Sequence, residues 1–386
     1  MTDSLTAPAG PGAVAAPHPD GGPGPGPADG HEARTLLARA RAAVDPALRS
    51  ALESLPAPLR RVALHHFGWE HPGGAADGSP GGPGPADDAR GRAGGPGGAG
   101  KAIRPALVLA AARAFGGEKA EAASVPAAAA VEVVHNFTLL HDDLMDRDTT
   151  RRHRPTAWTV FGDADAVLTG DALHALAQRI LARDPHPASL TATARIADCV
   201  VELCAGQQAD TALERRQPTE VALDEVFAMA EAKTGALLGC ACAIGGLYAG
   251  APAADVEALD GFGREAGLAF QLIDDIMGIW GDPLRTGKPA GADLAARKKS
   301  LPVVAALTSG TPAAAELAEL YALPYDGGDL DPAIRAVERA GGRTWAQERA
   351  ATHMARATRE LARALPDPER AAGLLSLAAF VTRRTT

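Results

Sequence analysis

The sequence has few of the residues that indicate nucleic-acid binding. Only 4% of its 386 residues are aromatic, and its formal net charge is −9. Proteins that bind nucleic acids use basic surfaces to contact phosphates and aromatic side chains to stack on bases. The chain also contains no long basic tract. These absences argue against a nucleic-acid partner.

Cysteine is also scarce. The chain has four cysteines, and no two of them are spaced as C-x-x-C: Cys199, Cys204, Cys240 and Cys242. This low density predicts buried free thiols in a protein of a reducing compartment. A zinc site at Cys240 and Cys242 is a less favoured alternative.

Several targeting and catalytic motifs are missing. The N-terminus lacks the basic start and apolar run of a signal peptide, and no stretch of 18 uncharged apolar residues occurs. We therefore expect a soluble, cytoplasmic protein without a membrane span. The sequence contains no G-x-x-x-x-G-K-[ST], H-E-x-x-H or G-x-S-x-G motif. This disfavours a P-loop nucleotide site, a zinc protease and a nucleophile-elbow hydrolase.

Composition divides the chain into one helical domain with two Pro/Gly-rich segments. Residues 1–32 predict a disordered tail, and residues 73–100 predict a flexible insertion. The rest, within 33–386, is rich in Ala and Leu at helical spacing, without the alternation of β-strands, and predicts an all-α fold. Helices are expected near 34–54, 57–67, 103–115, 121–146, 157–183, 188–212, 219–248, 253–280, 299–308, 330–340, 343–363 and 367–382.

Two predicted helices end in acidic segments, at residues 141–146 and 271–275. Asp142 and Asp146 are four residues apart and share one helix face. Clustered carboxylates repel one another unless a cation lies between them. Mg²⁺ takes oxygen ligands, often one or two carboxylates together with substrate phosphates. The pattern therefore predicts two helices that hold a diphosphate through divalent metal.

The polar side chains of the first acidic helix lie on one stripe. His135 precedes Asp142 by seven residues and Asp146 by eleven, and valines and leucines flank the stripe. Polar groups among apolar neighbours are costly when they are buried without partners. A stripe that simply faces solvent remains the alternative.

Basic residues accompany both acidic segments. Arg151 and Arg152 follow the first segment, and a lysine-containing loop follows the second. Arginine suits phosphate because its planar fork of donors is permanently charged. Lys101 and Arg104 lie three residues apart near a predicted helix start, where backbone donors also favour anions. Ordinary solvated charges remain the alternative for each group alone.

Taken together, these motifs resemble the trans-isoprenyl diphosphate synthase (polyprenyl synthetase) family, which includes geranylgeranyl and farnesyl diphosphate synthases. The resemblance covers roughly residues 34–382, and its elements occur in the family's order. They are Gly100-Lys101-x-x-Arg104-Pro105, His135, Asp142-Asp143-x-x-Asp146, Arg151-Arg152, Lys233-Thr234, Gln271-x-x-Asp274-Asp275, Gly287-Lys288-Pro289 and Lys298-Lys299.

The resemblance implies an isoprenoid-synthase-type helical bundle around a deep central cavity, usually as a homodimer. Its implied metal ligands, for Mg²⁺ or Mn²⁺, are Asp142, Asp146, Asp274 and Asp275. The residues implied to hold isopentenyl diphosphate are Lys101, Arg104, His135 and Arg152. Those implied to hold the allylic diphosphate are Arg151, Lys233, Thr234, Gln271, Lys288 and Lys298. Catalysis is implied to depend on Asp142, Asp146, Arg151, Lys233, Gln271 and Asp274.

One position departs from the family's pattern. The second motif usually has a third aspartate four residues after its first, and here that position is Gly278. Asp282 lies eight residues after Asp274, about 80° round an ideal helix. The sequence leaves open whether Asp282 reaches the metal. The departure puts the affinity of the second motif for metal in question.

The resemblance implies a prenyltransferase that joins isopentenyl diphosphate to an allylic diphosphate. A terpene cyclase of the same helical class and a catalytically weak partner subunit remain alternatives. The cyclase is disfavoured because it has no use for a second, metal-free diphosphate site. Phe137, five residues before Asp142, is followed by the small Thr138, which resembles the C20 pattern of the family. We therefore expect geranylgeranyl diphosphate, with farnesyl diphosphate as the second choice.

Overall fold

A computed structural model describes residues 28–69, 102–152, 154–283, 290–322, 325 and 327–382. Within these ranges, α-helices dominate, which confirms the all-α prediction. The insertion predicted at 73–100, together with Lys101 and Lys288, lies outside the described residues. The predicted tail is five residues too long, because the first helix already begins at Ala28.

The first half of the chain forms seven α-helices and one small hairpin. The helices are α1 (Ala28–Glu53), α2 (Ala57–Phe67), α3 (Ile103–Ala123), α4 (Val125–Met145), α5 (Ala157–Phe161), α6 (Asp163–Ala182) and α7 (Ser189–Glu214). The hairpin pairs β1 (Thr150–Arg151) with β2 (Arg154–Pro155) in antiparallel register. No alternating pattern in the sequence predicts this hairpin, because two-residue strands are too short to show one.

The second half is also helical. A 3₁₀ turn (Pro218–Glu220) precedes α8 (Leu223–Ala230), a π-helical turn (Glu231–Gly235) and α9 (Ala236–Tyr248). The remaining helices are α10 (Ala253–Trp280), α11 (Ala292–Ala295), α12 (Leu301–Leu307), α13 (Pro312–Ala322), α14 (Asp331–Arg339), α15 (Gly342–Ala364) and α16 (Pro368–Thr382).

Three predicted helices have different bounds for local reasons. Gly162 has φ of +94°, which only glycine adopts easily, and it divides the predicted 157–183 helix into α5 and α6. Ser124 separates α3 from α4, whose axes differ by 86°. The π-helical turn interrupts the predicted 219–248 helix. Helix α13 was not predicted, although Thr311 followed by Pro312 is a typical helix start.

In the core, α9 packs against α3, α4 and α10, and small residues allow a close approach. An added Cβ on Gly263 of α10 would lie 2.6 Å from the Cα of Gly239 in α9. Leu223–Tyr248 is apolar and long enough to cross a membrane, but 72% of its apolar window is buried inside the protein. Its hydropathy is therefore that of a core helix.

Candidate active site

One large cavity, of about 880 Å³, opens between the core helices. Its walls come from α3, α4, α7, the π-helical turn, α10 and the hairpin. Nine of the predicted site residues line it: Arg104, His135, Asp142, Arg151, Arg152, Lys233, Thr234, Gln271 and Asp274. Phe137, Leu203 and Phe270 add apolar surface. The cavity therefore joins charged and apolar walls in one space.

The first acidic motif occupies the C-terminal end of α4. Asp142 is half-buried in the cavity wall, and Asp146 is exposed just beyond the last residue of the helix. Burial and the charge of Asp146 raise the pKa of Asp142 to about 6, although Lys233 opposes them. Neither carboxylate has a hydrogen-bond partner among the described residues. Two unpartnered carboxylates on one face, with their charges destabilised, fit a divalent cation.

Asp143, between them, has a different position. Its side chain is only 2% exposed, and its Oδ1 accepts a hydrogen bond from Nε of Arg151 at 2.6 Å. Because neighbouring helical residues point about 100° apart, Asp143 faces away from its neighbour Asp142. Asp143 therefore fixes the Arg151 guanidinium at the cavity wall, a role that the sequence analysis did not assign.

In the second acidic motif, on α10, one aspartate likewise faces the cavity and the next one is buried. Asp274 is exposed at the cavity and has no hydrogen-bond partner in the described ranges. Asp275 is buried, and its carboxylate accepts hydrogen bonds from Nε2 of Gln271 at 2.8 Å and from the backbone N–H of Leu301 at 2.9 Å. The prediction of Asp275 as a metal ligand therefore requires correction. Its side chain lies in the core and caps α12.

A chain of hydrogen bonds connects this buried aspartate to the π-helical turn. Thr234 donates from Oγ1 to Oε1 of Gln271 at 2.8 Å, and Gln271 in turn donates to Asp275. The amide of Gln271 is thereby oriented at the cavity wall. Burial, the largest effect, raises the pKa of Asp275 to about 6 even though Lys298 lowers it.

Lys233 projects from the π-helical turn and forms an ion pair with Asp210 of α7, with Nζ and Oδ2 2.7 Å apart. Burial tends to lower the pKa of Lys233, but Asp142 and Asp210 outweigh it and raise that pKa. The turn is held close to α7, since an added Cβ on Gly206 would lie 2.7 Å from the backbone nitrogen of Lys233. Such π turns are frequent at functional sites. The ammonium therefore stays charged beside the first acidic motif.

A separate basic cluster lines the same cavity, about two turns before Asp142 along α4. Nη1 of Arg104 donates a hydrogen bond of 3.0 Å to Nε2 of His135. Burial and the charge of Arg104 hold the pKa of His135 well below 6.5, so the imidazole is neutral and accepts this bond. Burial also lowers the pKa of Arg104 to about 10. Among the described residues, its Nε is buried without a hydrogen-bond partner, and Arg152 lies on the same cavity. This set of donors fits an anion.

The other predicted residues occupy less direct positions. Lys298 is half-buried but is not on the cavity wall, and Asp282 is exposed beyond the end of α10.

Cys204 faces the cavity and is exposed, unlike the other three cysteines, which are buried as predicted. In the described part of the chain, no three His, Cys, Asp or Glu side chains form a metal cluster. The zinc alternative at Cys240 and Cys242 therefore gains no support.

Two acidic residues near the site were not predicted from the sequence, and only Glu132 of the two lines the cavity. Asp210 pairs with Lys233, and Glu132 lies in the wall beside the basic cluster. Gln207, Asp210 and Glu214 recur at helical spacing in an alanine-rich helix, and this polar stripe was the signal for Asp210. Glu132 gave no such signal, because it is one polar residue in an apolar run.

Comparison with known proteins identifies this architecture. The polyprenyl synthetase family matches residues 97–336. The chain is 47% identical over 354 residues to a geranylgeranyl diphosphate synthase of Mycobacterium tuberculosis, with 91% of this chain and 94% of that protein covered. It is 42% identical over 359 residues to a (2E,6E)-farnesyl diphosphate synthase of Mycobacterium bovis, with the same coverage.

The fold agrees with a solved structure as well. A polyprenyl synthetase from Streptomyces coelicolor A3(2) superposes with a TM-score of 0.76 and 40% sequence identity. The comparison covers 90% of this chain and 98% of that one. The family match, the two relatives and the common fold agree with the motifs on the cavity wall. This chain belongs to the polyprenyl synthetase family.

Proposed function

We propose that this protein condenses isopentenyl diphosphate with an allylic diphosphate and makes a short-chain trans-prenyl diphosphate, mainly geranylgeranyl diphosphate. One observation carries the proposal. A single cavity combines carboxylates on α4 and α10 with a separate basic cluster around Arg104. Two diphosphate sites of different chemistry on one apolar cavity are what this condensation requires. Relatives named geranylgeranyl and farnesyl diphosphate synthases support the same reaction, the condensation of isopentenyl diphosphate with an allylic diphosphate.

The allylic diphosphate would lie between the two acidic helices. Asp142, Asp146 and Asp274 would hold divalent cations, Mg²⁺ or Mn²⁺, and these would neutralise the charge of the departing diphosphate. Lys233 and Arg151 would contact its oxygens from the π-helical turn and the hairpin. Asp210 forms an ion pair with Lys233, and Asp143 forms one with Arg151. Both basic side chains are therefore already oriented when substrate binds.

Isopentenyl diphosphate would lie in the basic cluster. Arg104, Arg152 and neutral His135 would hold its diphosphate without metal, with Lys101 as a further predicted contact. Its double bond would then face the allylic carbon across the apolar part of the cavity. The allylic C–O bond breaks, the double bond attacks the resulting cation, and a proton leaves to the released diphosphate. Phe137, Leu203 and Phe270 would keep water from the cation.

The choice of the C20 product rests on Phe137. Its ring is nearly buried and lines the cavity, where it stacks on His174 of α6 with centroids 5.5 Å apart. His141 meets the same ring edge-on at 5.2 Å. Thr138 beside it is small and also lines the cavity. These rings would form the floor that limits the length of the prenyl chain.

We also propose a cytoplasmic homodimer. Support for a subunit interface comes from large apolar side chains on the surface, of which Leu168 is 57%, Leu190 79% and Val201 71% exposed. Sedimentation analysis of the purified protein would measure the subunit number. A monomer at micromolar concentration would contradict the dimer.

Product analysis tests the proposed reaction. The purified protein is incubated with isopentenyl diphosphate and C5, C10 or C15 allylic primers, in Mg²⁺, in Mn²⁺ or in EDTA. Mass spectrometry of the products should show a C20 diphosphate as the main product from each primer, and no product in EDTA. A main product of another length would refute the C20 assignment, and turnover in EDTA would refute the metal requirement.

A further inference from the structure

The last turn of α10 lacks a carboxylate at one position of its acidic motif, and a carboxylate from a later segment lies beside that position. Asp274 and Gly278 are four residues apart and lie on one face of the helix. The resemblance described above implies an aspartate where this chain has Gly278. An added Cβ on Gly278 would lie 2.8 Å from Oδ1 of Asp293 and would overlap its Oδ2. The carboxylate of Asp293 therefore occupies the space that a side chain at position 278 would need.

The backbone around Asp293 fixes this placement. Gly291 adopts φ of +76° and donates its N–H to the carbonyl oxygen of Ile279 at 3.0 Å, which joins the returning chain to the last turn of α10. Asp293 then lies in the short helix α11. The N–H of Lys298 donates to the carbonyl oxygen of Asp293 at 2.9 Å and closes the segment on its other side. Asp293 is thus held beside Gly278 by bonds to both neighbouring segments.

The charges near Asp293 are those of the second acidic motif. Asp293 is one of the acidic groups whose field acts on Lys298, together with Asp275, Asp210 and Asp274. It also acts on the buried Asp275. Since side chains at i and i+4 are roughly 5–6 Å apart at Cβ, a carboxylate at the Gly278 position lies within reach of a cation held by Asp274.

We propose that Asp293 supplies the third carboxylate of the second acidic motif, in place of the aspartate that this chain lacks at position 278. The metal opposite the first motif is then held through Asp274 and Asp293. Glycine at 278 is required because any side chain there would displace the Asp293 carboxylate. The inference rests on the proposed function, because it assigns a residue to the metal–diphosphate site.

Asp293→Asn tests the assignment with a nearly isosteric change. Isothermal titration calorimetry measures the affinity for inorganic diphosphate in the presence and absence of Mg²⁺. The variant should lose roughly tenfold or more of the Mg²⁺-dependent affinity, the scale seen when groups around a metal are removed. Its melting temperature without metal should match that of the wild type. Asp282→Asn, an exposed aspartate after α10, is the matched control and should bind like the wild type.

A positional exchange separates metal binding from a structural role. Gly278→Asp alone should weaken Mg²⁺-dependent binding, because its side chain overlaps Asp293. Asp293→Ala should weaken it as well. The double variant Gly278→Asp/Asp293→Ala has one carboxylate in the family's usual position, and its affinity should return to within a few-fold of the wild type.

The outcomes are distinct. Unchanged Mg²⁺-dependent affinity in Asp293→Asn would overturn the inference. A folded double variant that binds no better than Asp293→Ala would also overturn it, and Asp293 would then be only a partner of the loop. Failure of the wild type itself to bind diphosphate with Mg²⁺ would refute the proposed function instead.

Discussion

Replacement of Phe137 by alanine should lengthen the product by one isoprene unit. Phe137 is 8% exposed, and its ring separates the cavity from His174 and the packed core of α4. Loss of a buried phenyl ring typically costs about 3–5 kcal/mol of folding free energy. Burial of five more prenyl carbons contributes about 4 kcal/mol at about 0.8 kcal/mol per carbon. The longer chain therefore offsets most of the cost of the void.

The extension should stop after one unit. Val133 and Val134 are fully buried, and His174 still closes the space behind the missing ring. We expect the main product to change from C20 to C25, with turnover of the same order. Mass spectrometry of the products from a C15 primer measures this change directly.

A matched control separates product length from general destabilisation. Phe161 on α5 is half-buried and packs edge-on against His65 at 5.3 Å, away from the cavity wall. Phe161→Ala should lower stability without changing product length. An unchanged product distribution in a folded Phe137→Ala variant would refute Phe137 as the cavity floor.

Three further changes test other parts of the site. Asp142→Ala should lower kcat by roughly two orders of magnitude or more, because it removes a carboxylate that would hold the cation stabilising the leaving diphosphate. Asp87→Ala, in the Gly/Pro-rich segment, is the control and should leave kcat near wild type. Equal losses of kcat in the two variants would contradict the metal assignment. Arg104→Ala should raise the KM for isopentenyl diphosphate roughly 10- to 100-fold, as expected for a charged hydrogen bond, with a smaller change for the allylic substrate; steady-state kinetics in each substrate would show the reverse if the two sites were exchanged. Burial raises the pKa of the Glu132 carboxyl above 4.5, so the folded state holds this proton more tightly, and the group's contribution to stability falls as pH rises from 4.5 through the folded pKa. Urea unfolding at a series of pH values should show this fall in the free energy of unfolding for the wild type and not for Glu132→Gln. The same pH dependence of the unfolding free energy in both proteins would contradict it.

Spacing within one helix predicted much of the site. Asp142 and Asp146 are four residues apart on one face of α4, with Asp142 in the cavity wall and Asp146 exposed just beyond the helix. Arg104 and His135 meet at the same cavity. The same geometry argued against Asp275 as a partner of Asp274, because adjacent helical residues point about 100° apart. The second motif follows the same rule, because Asp274 faces the cavity while Asp275 is buried.

Contacts between distant segments could not be predicted from one sequence. Lys233 depends on a π-helical turn that forms where Gly206 allows α7 to approach closely. Asp293 fills the space beside Gly278 only because the chain folds back along α10. Neither arrangement leaves a periodic signal, because each arises from tertiary packing rather than from local propensity.

Incubation with a C15 allylic diphosphate and isotopically labelled isopentenyl diphosphate, in Mg²⁺, tests the central claim most directly. Elongation requires both the acidic site and the separate basic cluster around Arg104. We predict a labelled prenyl diphosphate, formed at a rate that depends on isopentenyl diphosphate concentration. An unlabelled cyclic hydrocarbon, formed equally well from the C15 diphosphate alone, would contradict the claim.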